Sequence, residues 1–333
     1  MGSNYNSPIK RLSVILPILV IIGMVAIFVS VLSGSVKVEF SDIINYLSGN
    51  NRLNDELSVI LGIRFSRIVL AFCVGAGLSV TGAVFQAILI NPLAEPYILG
   101  VSSGGTFGAI LAIFLGLSFT MVTSFAAVGS ILIIFLVFVL GRKLGELEPN
   151  VLLLTGIMIS AFFSALILLL ITLLNDSLRT AVFWMIGNLA NADPNAVFVI
   201  APATFILSFI LVIFAQKYNV LALGNEHALS LGVNTKLIKT ISYFTSSLLI
   251  GFIVSVSGII GFVGLLIPHV CRMIFGNDNR IILPSSFFIG GTYLIIADTI
   301  ARTVLLPGEI PVGAITALVG APVFIYLMRR RYN

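Results

Sequence analysis

Charged side chains are scarce in this sequence. Lysine and arginine number 18 and aspartate and glutamate 13, so only 9% of the 333 residues are charged, against about a quarter in ordinary soluble domains. Hydrophobic residues make up 59% of the chain, and its mean hydropathy is +1.15. This composition excludes soluble, disordered and disulfide-rich proteins, and it predicts a chain embedded almost entirely in a membrane.

Residues that usually carry catalytic or metal chemistry are also few. The chain has two cysteines, two histidines and one tryptophan. Cys73 and Cys271 lie in or at the end of apolar stretches, where cysteine usually behaves as a small hydrophobe. The sequence contains no G-x-x-x-x-G-K-[ST] phosphate loop, no histidine pair at helical spacing and no cysteine cluster. We therefore expect no ATP hydrolysis by this chain, no metal site and no cofactor.

Ten apolar runs divide the chain. They cover about 12–33, 60–90, 99–118, 121–141, 150–174, 196–215, 240–257, 259–275, 281–304 and 312–328. In a membrane such runs must be helical, because only helices and closed barrels satisfy every backbone group there, and the alternation typical of barrel strands is missing. The predicted fold is all-α: a polytopic membrane protein with about ten transmembrane helices in one domain, residues 1–333.

The distribution of basic residues predicts the orientation. Twelve of the 18 lysines and arginines fall on the same side as the two termini. Because basic loops stay on the cytoplasmic side, both termini are predicted to be cytoplasmic. The net charge of +5 then follows from membrane topology, and nucleic-acid binding is not needed to explain it.

Three polar interruptions are long enough to fold. On the predicted outer side, residues 34–58 could hold a short surface helix, and residues 175–195 contain Trp184. On the inner side, residues 216–239 form an amphipathic block that is too polar for the bilayer and too apolar for a free linker.

Several ionisable residues stand out within or beside apolar runs. Placing an ionisable side chain inside a membrane span costs free energy, so an acid found there usually has a function. Asp298 is therefore a candidate for ion coupling. Arg302 follows four residues later, so an intrahelical ion pair explains Asp298 at least as well. Glu95 lies in a proline-bounded break. His269, near the end of a span, could bind a ligand, but a polar residue at a helix end is the more frequent reading.

Arg64 and Arg67 lie three positions apart, on one face of a helix, at the predicted outer side. Such arginines can anchor a helix at the interface by extending toward water. They can equally meet an acidic partner, and spacing alone leaves both interpretations open.

Small residues recur at four-residue intervals in two spans, which favours close helix packing. The positions are Gly100, Gly104 and Gly108 in one span and Gly313, Ala317 and Ala321 in the other.

Four ordered blocks resemble the membrane permeases of type II ABC importers, which carry iron-siderophores, haem and cobalamin. Arg64-Phe-Ser-Arg67 is similar to the family's R-x-P-R motif, with serine in place of proline, and residues 91–104 (NPLAEPYILGVSSG) match a second signature. Residues 221–233 (LALGNEHALSLGV) are similar to the family's cytoplasmic coupling segment. The fourth block runs from 258 to 280, with Asn279 where histidine is more frequent, and residues 298–322 complete it.

The resemblance implies a complex in the plasma (inner) membrane of a bacterium or an archaeon. Two permease subunits, identical or sister proteins, would enclose the pathway; two cytoplasmic ATPase subunits would drive it; and an extracytoplasmic binding protein would deliver the cargo. The first candidate cargo is an iron-siderophore, followed by haem and cobalamin. The competing prediction is an ion-coupled secondary transporter that uses Asp298 or Glu95.

The resemblance also implies site residues. Arg64, Arg67 and Arg302 would dock onto glutamates on the two lobes of the binding protein. Residues 221–233 would form two short helices meeting near Gly232 and seated in a groove of the ATPase. The coupling residues would be Leu221, Leu223, Gly224, Glu226, Ala228, Leu231 and Gly232.

Overall fold

The computed structural model describes residues 8–34, 36, 38–48, 55–143, 146–174, 177–190, 194–306 and 308–332. The helices are α1 (Pro8–Leu32), α2 (Phe40–Leu47), α3 (Asp55–Ile88), α4 (Val101–Phe114), α5 (Phe119–Leu140), α6 (Pro149–Thr172), α7 (Leu178–Ile186), α8 (Pro194–Ile213), α9 (Ala215–Leu221), α10 (Asn225–Ser230), α11 (Thr235–Ser257), α12 (Val263–Phe275), α13 (Asn279–Thr303) and α14 (Val312–Tyr332). A 3-10 turn covers Pro96–Leu99, and strands β1 (Arg142–Lys143) and β2 (Glu146–Leu147) form an antiparallel hairpin.

The predicted all-helical membrane fold is confirmed. Helices α1, α3, α5, α6, α8, α11 and α13 are long and apolar enough to cross a membrane, and α4, α12 and α14 are shorter apolar helices. Each of these ten helices coincides with one of the ten apolar runs. The remaining short helices, α2, α7, α9 and α10, lie in the three polar interruptions.

Helix α3 is the centre of the bundle. In the apolar 18-residue stretch of α3, 89% of the residues are buried, whereas 17% are buried in the corresponding stretch of α6. Two of its glycines allow other helices to approach closely, because a Cβ on Gly75 would overlap the carbonyl oxygen of Gly290, and one on Gly82 would overlap that of Gly264. The glycine-rich patterns in these spans thus serve backbone contact between α3, α12 and α13.

Side-chain caps define two helix starts on the predicted inner side. Glu148 Oε2 accepts a hydrogen bond from the backbone N–H of Val151 at 2.8 Å, which caps α6. Asn234 Oδ1 accepts one from the N–H of Leu237 at 3.0 Å, which caps α11. Each cap satisfies a donor that the first helical turn leaves unpaired.

Helices α4 and α12 are too short to span a bilayer alone. They have 14 and 13 residues, or about 20 Å at 1.5 Å per residue, against a hydrocarbon core of about 30 Å. Irregular segments precede both helices and contact each other, since the hydroxyl of Tyr97 accepts a hydrogen bond from the N–H of Ile260 at 3.2 Å. Irregular backbone is tolerated at membrane depth where protein surrounds it.

Candidate functional site

Arg67 is the centre of a charged cluster at the end of the bundle that is predicted to face outward. Its Nε lies 2.9 Å from Oδ2 of Asp298, and its Nη2 lies 2.9 Å from Oδ1 of the same carboxylate. Nη1 donates to Oε2 of Glu309 at 2.8 Å. Arg67 is 7% exposed and Asp298 1%, so the cluster joins α3 and α13 through a buried ion pair.

Arg64 lies one helical turn before Arg67 and is also 7% exposed. It donates to the carbonyl oxygens of Val31 at 2.8 Å and Val36 at 2.7 Å. Because the last carbonyls of a helix have no partner within it, Arg64 stabilises the end of α1 and the segment that follows.

Arg302 also serves the end of α1. It donates to the carbonyl oxygen of Ser33 at 2.8 Å and to both the carbonyl oxygen and the hydroxyl of Ser30. Its Nε lies 3.8 Å from Oδ2 of Asp298. The intrahelical pair that the sequence suggested is therefore the weaker contact of Asp298, because Arg67 from another helix makes the close hydrogen bonds.

The three arginines surround a cavity of about 180 Å³. Its lining comprises Gly34, Val36, Ile60, Ile63, Arg64, Arg67, Arg302, Leu306 and Glu309. Arg64, Arg67 and Arg302 carry three positive charges, and Asp298 and Glu309 beside them carry two negative charges, which leaves one positive charge in excess. A cavity of this kind favours an additional carboxylate.

The two carboxylates of the cluster differ in how firmly they are held. Asp298 is 2% exposed at its side chain and Glu309 39%. Removing one partner of a buried ion pair typically costs about 3–5 kcal/mol, whereas an exposed pair contributes about 0–1 kcal/mol. Glu309 is thus the less firmly held of the two carboxylates. The sequence motif contained Glu309, but no local pattern paired it with Arg67, because 242 positions separate them.

The inner segment differs from its prediction in two respects. The short helices α9 and α10 meet at Ala222–Gly224, with Gly224 at φ +100°, and not near Gly232, which has φ +76° and precedes α11. Both glycines have a positive φ, which glycine adopts readily, so their residue type could not identify which one separates the two helices.

The leucines of this segment do not all face outward. Leu223 is 60% and Leu231 64% exposed, as is Leu229 at 58%. Leu221 is 1% exposed and Ala228 0%. Leu221 and Ala228, two of the predicted coupling residues, are therefore buried within this chain and add no exposed apolar surface for a partner. The exposed apolar surface of this segment therefore consists of three leucines. Glu226 lies in the same segment, in the first turn of α10.

A polar network joins α9 to the start of α13. Asn219 Nδ2 donates to Oδ1 of Asp278 at 2.7 Å, and Asn219 Oδ1 accepts from the N–H of Asn279 at 2.9 Å. Burial alone would raise the pKa of Asp278, but hydrogen bonds from Arg280 and Asn219 outweigh it and hold that pKa below its ordinary value. Asp278 also caps α13 by accepting from the N–H of Arg280 at 3.0 Å.

Glu95 and Phe262 connect the irregular segments before α4 and α12. Glu95 Oε1 accepts a hydrogen bond from the N–H of Phe262 at 2.8 Å. Phe262 has φ +69° although it is not glycine, a strained conformation that costs about 1–3 kcal/mol. Glu95 therefore holds a strained backbone turn in place.

The predicted packing residues lie at several contacts. A Cβ on Gly104 would overlap Gly129 of α5, one on Gly108 would overlap Phe125, and one on Gly313 would overlap Ile186 of α7. Gly100 has φ +79° and joins the 3-10 turn to α4, while Ala317 and Ala321 are half-buried in α14.

His269 is buried, and its ring lies 5.8 Å from that of Phe324. Within the described part of the chain, no group of three or more His, Cys, Asp or Glu side chains could hold a metal ion.

Comparison with known proteins gives concordant matches. A model of the FecCD transport family matches residues 18–330. The uncharacterized ABC transporter permease protein YvrB of Bacillus subtilis is 38% identical over 83% of this chain and 80% of that protein. The iron(3+)-hydroxamate import system permease protein FhuG of the same organism is 35% identical over 99% of each chain. A solved structure described as a metal-chelate type ABC transporter in an inward-facing conformation has a TM-score of 0.85 at 32% identity, covering 95% of this chain and 99% of that one.

Proposed function

The chain belongs to the FecCD transport family, whose members are permeases of ABC importers for metal chelates, and on that premise we propose that its own cargo is an iron-siderophore. It is a multi-pass membrane subunit without catalytic activity. The observation that carries the cargo proposal is the alignment over 99% of both chains with a permease named for iron(3+)-hydroxamate. Haem and cobalamin are the next candidates.

Uptake by cells tests the cargo. A strain that lacks this permease is compared with the same strain carrying the gene, each given labelled iron(3+)-hydroxamate, haem or cobalamin. We expect hydroxamate uptake to depend on the gene and the other two to be unaffected. Loss of haem or cobalamin uptake with normal hydroxamate uptake would overturn the proposal.

We further propose that two permease subunits, two ATPase subunits and an extracytoplasmic binding protein form the working complex. The absence of a phosphate loop from the sequence supports a separate ATPase. The chain reconstituted alone in vesicles should neither hydrolyse ATP nor accumulate the chelate. Accumulation driven by an ion gradient alone would favour the secondary-transporter class instead.

Two observations speak against ion coupling by the acids that the sequence singled out. Asp298 is neutralised by Arg67 and lies beside Arg302. Glu95 accepts the backbone N–H of Phe262. Each acid therefore has a structural partner within the chain.

The arginine cluster supports a docking role for Arg64, Arg67 and Arg302. Its cavity has an excess positive charge, and it lies at the predicted outer end of the bundle. The guanidinium groups are already hydrogen-bonded within the chain, so a docking carboxylate would reach them at the cavity mouth. Exchange of Glu309 for a carboxylate of the binding protein would require no disruption of the Arg67–Asp298 pair.

The inner segment supports a coupling role. Leu223, Leu229 and Leu231 expose apolar surface on a polar stretch between two spans, and such surface usually marks a protein contact. A groove on the ATPase would cover these three leucines, with Gly224 and Gly232 shaping the turns between the helices.

A further inference from the structure

A cavity on the predicted outer side has aromatic walls. It has a volume of about 300 Å³ and lies between the short helix α7 and the ends of α4, α5 and α11. Phe119 of α5 and Phe183 and Trp184 of α7 line it. Pockets that hold small molecules begin at about this volume, and apolar and aromatic side chains form most of their walls. The cavity is therefore large enough for one small organic molecule.

Backbone contacts hold the walls of this cavity in place. A Cβ on Gly258 would overlap the carbonyl oxygen of Trp184, so α7 lies directly against the turn that follows α11. The segment after α7 is fixed as well, because the N–H of Asn188 donates to the carbonyl oxygen of Ser257 at 2.9 Å. The cavity is thus formed before a ligand enters, which lowers the entropy cost of binding.

Two polar side chains add hydrogen-bond donors to the aromatic walls. Arg179 is exposed, and its Cζ lies 5.5 Å from the centre of the Phe183 ring. Oδ1 of the half-buried Asn188 accepts the N–H of Ala190 at 2.8 Å, so the nitrogen of this amide is the atom that can donate to a ligand. None of the described residues that line the cavity is acidic. A carboxylate is the acceptor that a guanidinium group favours.

We propose that this cavity binds a small planar aromatic carboxylate. The ring lies against Trp184 and Phe119, and the carboxylate accepts hydrogen bonds from Arg179 and Asn188. An aliphatic acid would use the donors but lose the contact between aromatic rings, whereas a neutral arene would lose the charge. None of the described lining residues belongs to the arginine cluster or to the inner segment, so the proposal does not depend on the roles proposed for those sites.

The fluorescence of Trp184 tests the site, because this is the single tryptophan of the chain. The full-length chain in phosphatidylcholine nanodiscs is titrated with benzoate, and benzamide and cyclohexanecarboxylate are measured as competitors of radiolabelled benzoate. We expect saturable binding of benzoate. Benzamide should bind about fivefold more weakly, because it lacks the charge that pairs with Arg179. Cyclohexanecarboxylate should bind about tenfold more weakly, because it cannot stack on the rings.

Two variants with matched controls locate the ligand. Arg179→Gln should remove the preference for benzoate over benzamide, and Phe119→Leu should weaken benzoate binding about threefold. The control for the first is Arg142→Gln, which removes an arginine that also lies over an aromatic ring, 3.8 Å from the centre of Phe138, but outside the cavity. The control for the second is Phe135→Leu, on the same helix and 64% exposed. Both controls should bind benzoate as the wild type does.

Three outcomes would overturn the site. Quenching of the fluorescence that rises without saturation would reduce the effect to partition into the bilayer. Equal binding of the three compounds would show that neither the ring nor the charge is recognised. Benzoate binding that Arg179→Gln and Phe119→Leu leave unchanged would place the ligand elsewhere on the chain.

Discussion

Arg67 and Asp298 are 231 positions apart in the chain, yet two nitrogens of the guanidinium group lie 2.9 Å from the two carboxylate oxygens. The pair joins the central helix α3 to α13, where almost no solvent reaches it. The pair therefore stabilises the contact between these two helices. A docking role of Arg67 would be additional to this structural role.

This relationship predicts a large effect of Asp298→Asn on stability. The substitution leaves Arg67 buried beside a neutral amide, which should lower the free energy of unfolding by about 3–5 kcal/mol. Denaturation of the detergent-solubilised chain measures it. Combining Asp298→Asn with Arg67→Gln should cost clearly less than the sum of the two single changes. Additive losses would show that the pair is not coupled.

Glu309→Gln should leave the fold intact and strengthen docking of the binding protein. Glu309 competes with an incoming carboxylate for Arg67, and a partly exposed pair of this kind contributes about 1 kcal/mol at most. Its removal should tighten binding about fivefold or less, with an effect that weakens as salt rises.

The partner for this measurement is the binding protein encoded with the permease, titrated against the full-length chain by surface plasmon resonance. Glu226→Gln, on the predicted inner side, removes the same charge and should have no effect. Weaker binding by the Glu309 variant would show that this carboxylate attracts the partner and does not compete with it. Charge reversal at Arg67 is a poorer test, because it also destroys the Asp298 pair.

Substitutions at two leucines of the inner segment distinguish a role in coupling to the ATPase from a role in folding. Leu231 is 64% exposed and Leu221 1%. Leu231→Asp should leave the fold intact and lower ATP-driven uptake by roughly thirtyfold, as expected for a central contact residue. Leu221→Asp should instead destabilise the chain by about 4 kcal/mol or more, because it buries an unpaired charge. Uptake assays and thermal unfolding distinguish the two, and normal uptake by Leu231→Asp would refute the coupling role.

Local sequence rules predicted the ten membrane helices but not the contacts that build the sites. Hydropathy is a local property, so each apolar run corresponds to a helix. The four-residue spacing of Asp298 and Arg302 suggested a pair, yet the closer partner of Asp298 is Arg67 on another helix. Similarly, the run at 259–275 gave no sign that α12 begins only at Val263, because the irregular turn before it is held by Glu95 from a distant segment.

The charge of Asp278 predicts a pH dependence of stability. Burial alone would raise the pKa of Asp278, but hydrogen bonds from Arg280 and Asn219 outweigh burial. The pKa is therefore lowered in the folded chain. A lowered pKa contributes stability above the unfolded value of about 3.9, and this contribution is lost as the pH falls through the folded pKa. Asp278→Asn keeps the helix cap but removes the charge. The wild type should be more stable than this variant at neutral pH, and the difference should shrink in acid. A constant difference would exclude the charge as its source.

Substitutions at Glu95 distinguish a structural acid from an ion-coupling one. Glutamine retains an oxygen that can accept the N–H of Phe262, whereas alanine leaves that buried donor unpaired, at a cost of about 1–3 kcal/mol. In the assembled importer, Glu95→Gln should therefore support ATP-driven uptake close to the wild-type rate, and Glu95→Ala should lower both uptake and thermal stability. An ion-coupling acid must bind and release a cation or a proton, which an amide cannot do. If Glu95→Gln abolished uptake while thermal unfolding stayed unchanged, the carboxylate itself would be required for transport, and the structural role assigned to the Glu95–Phe262 hydrogen bond would be insufficient.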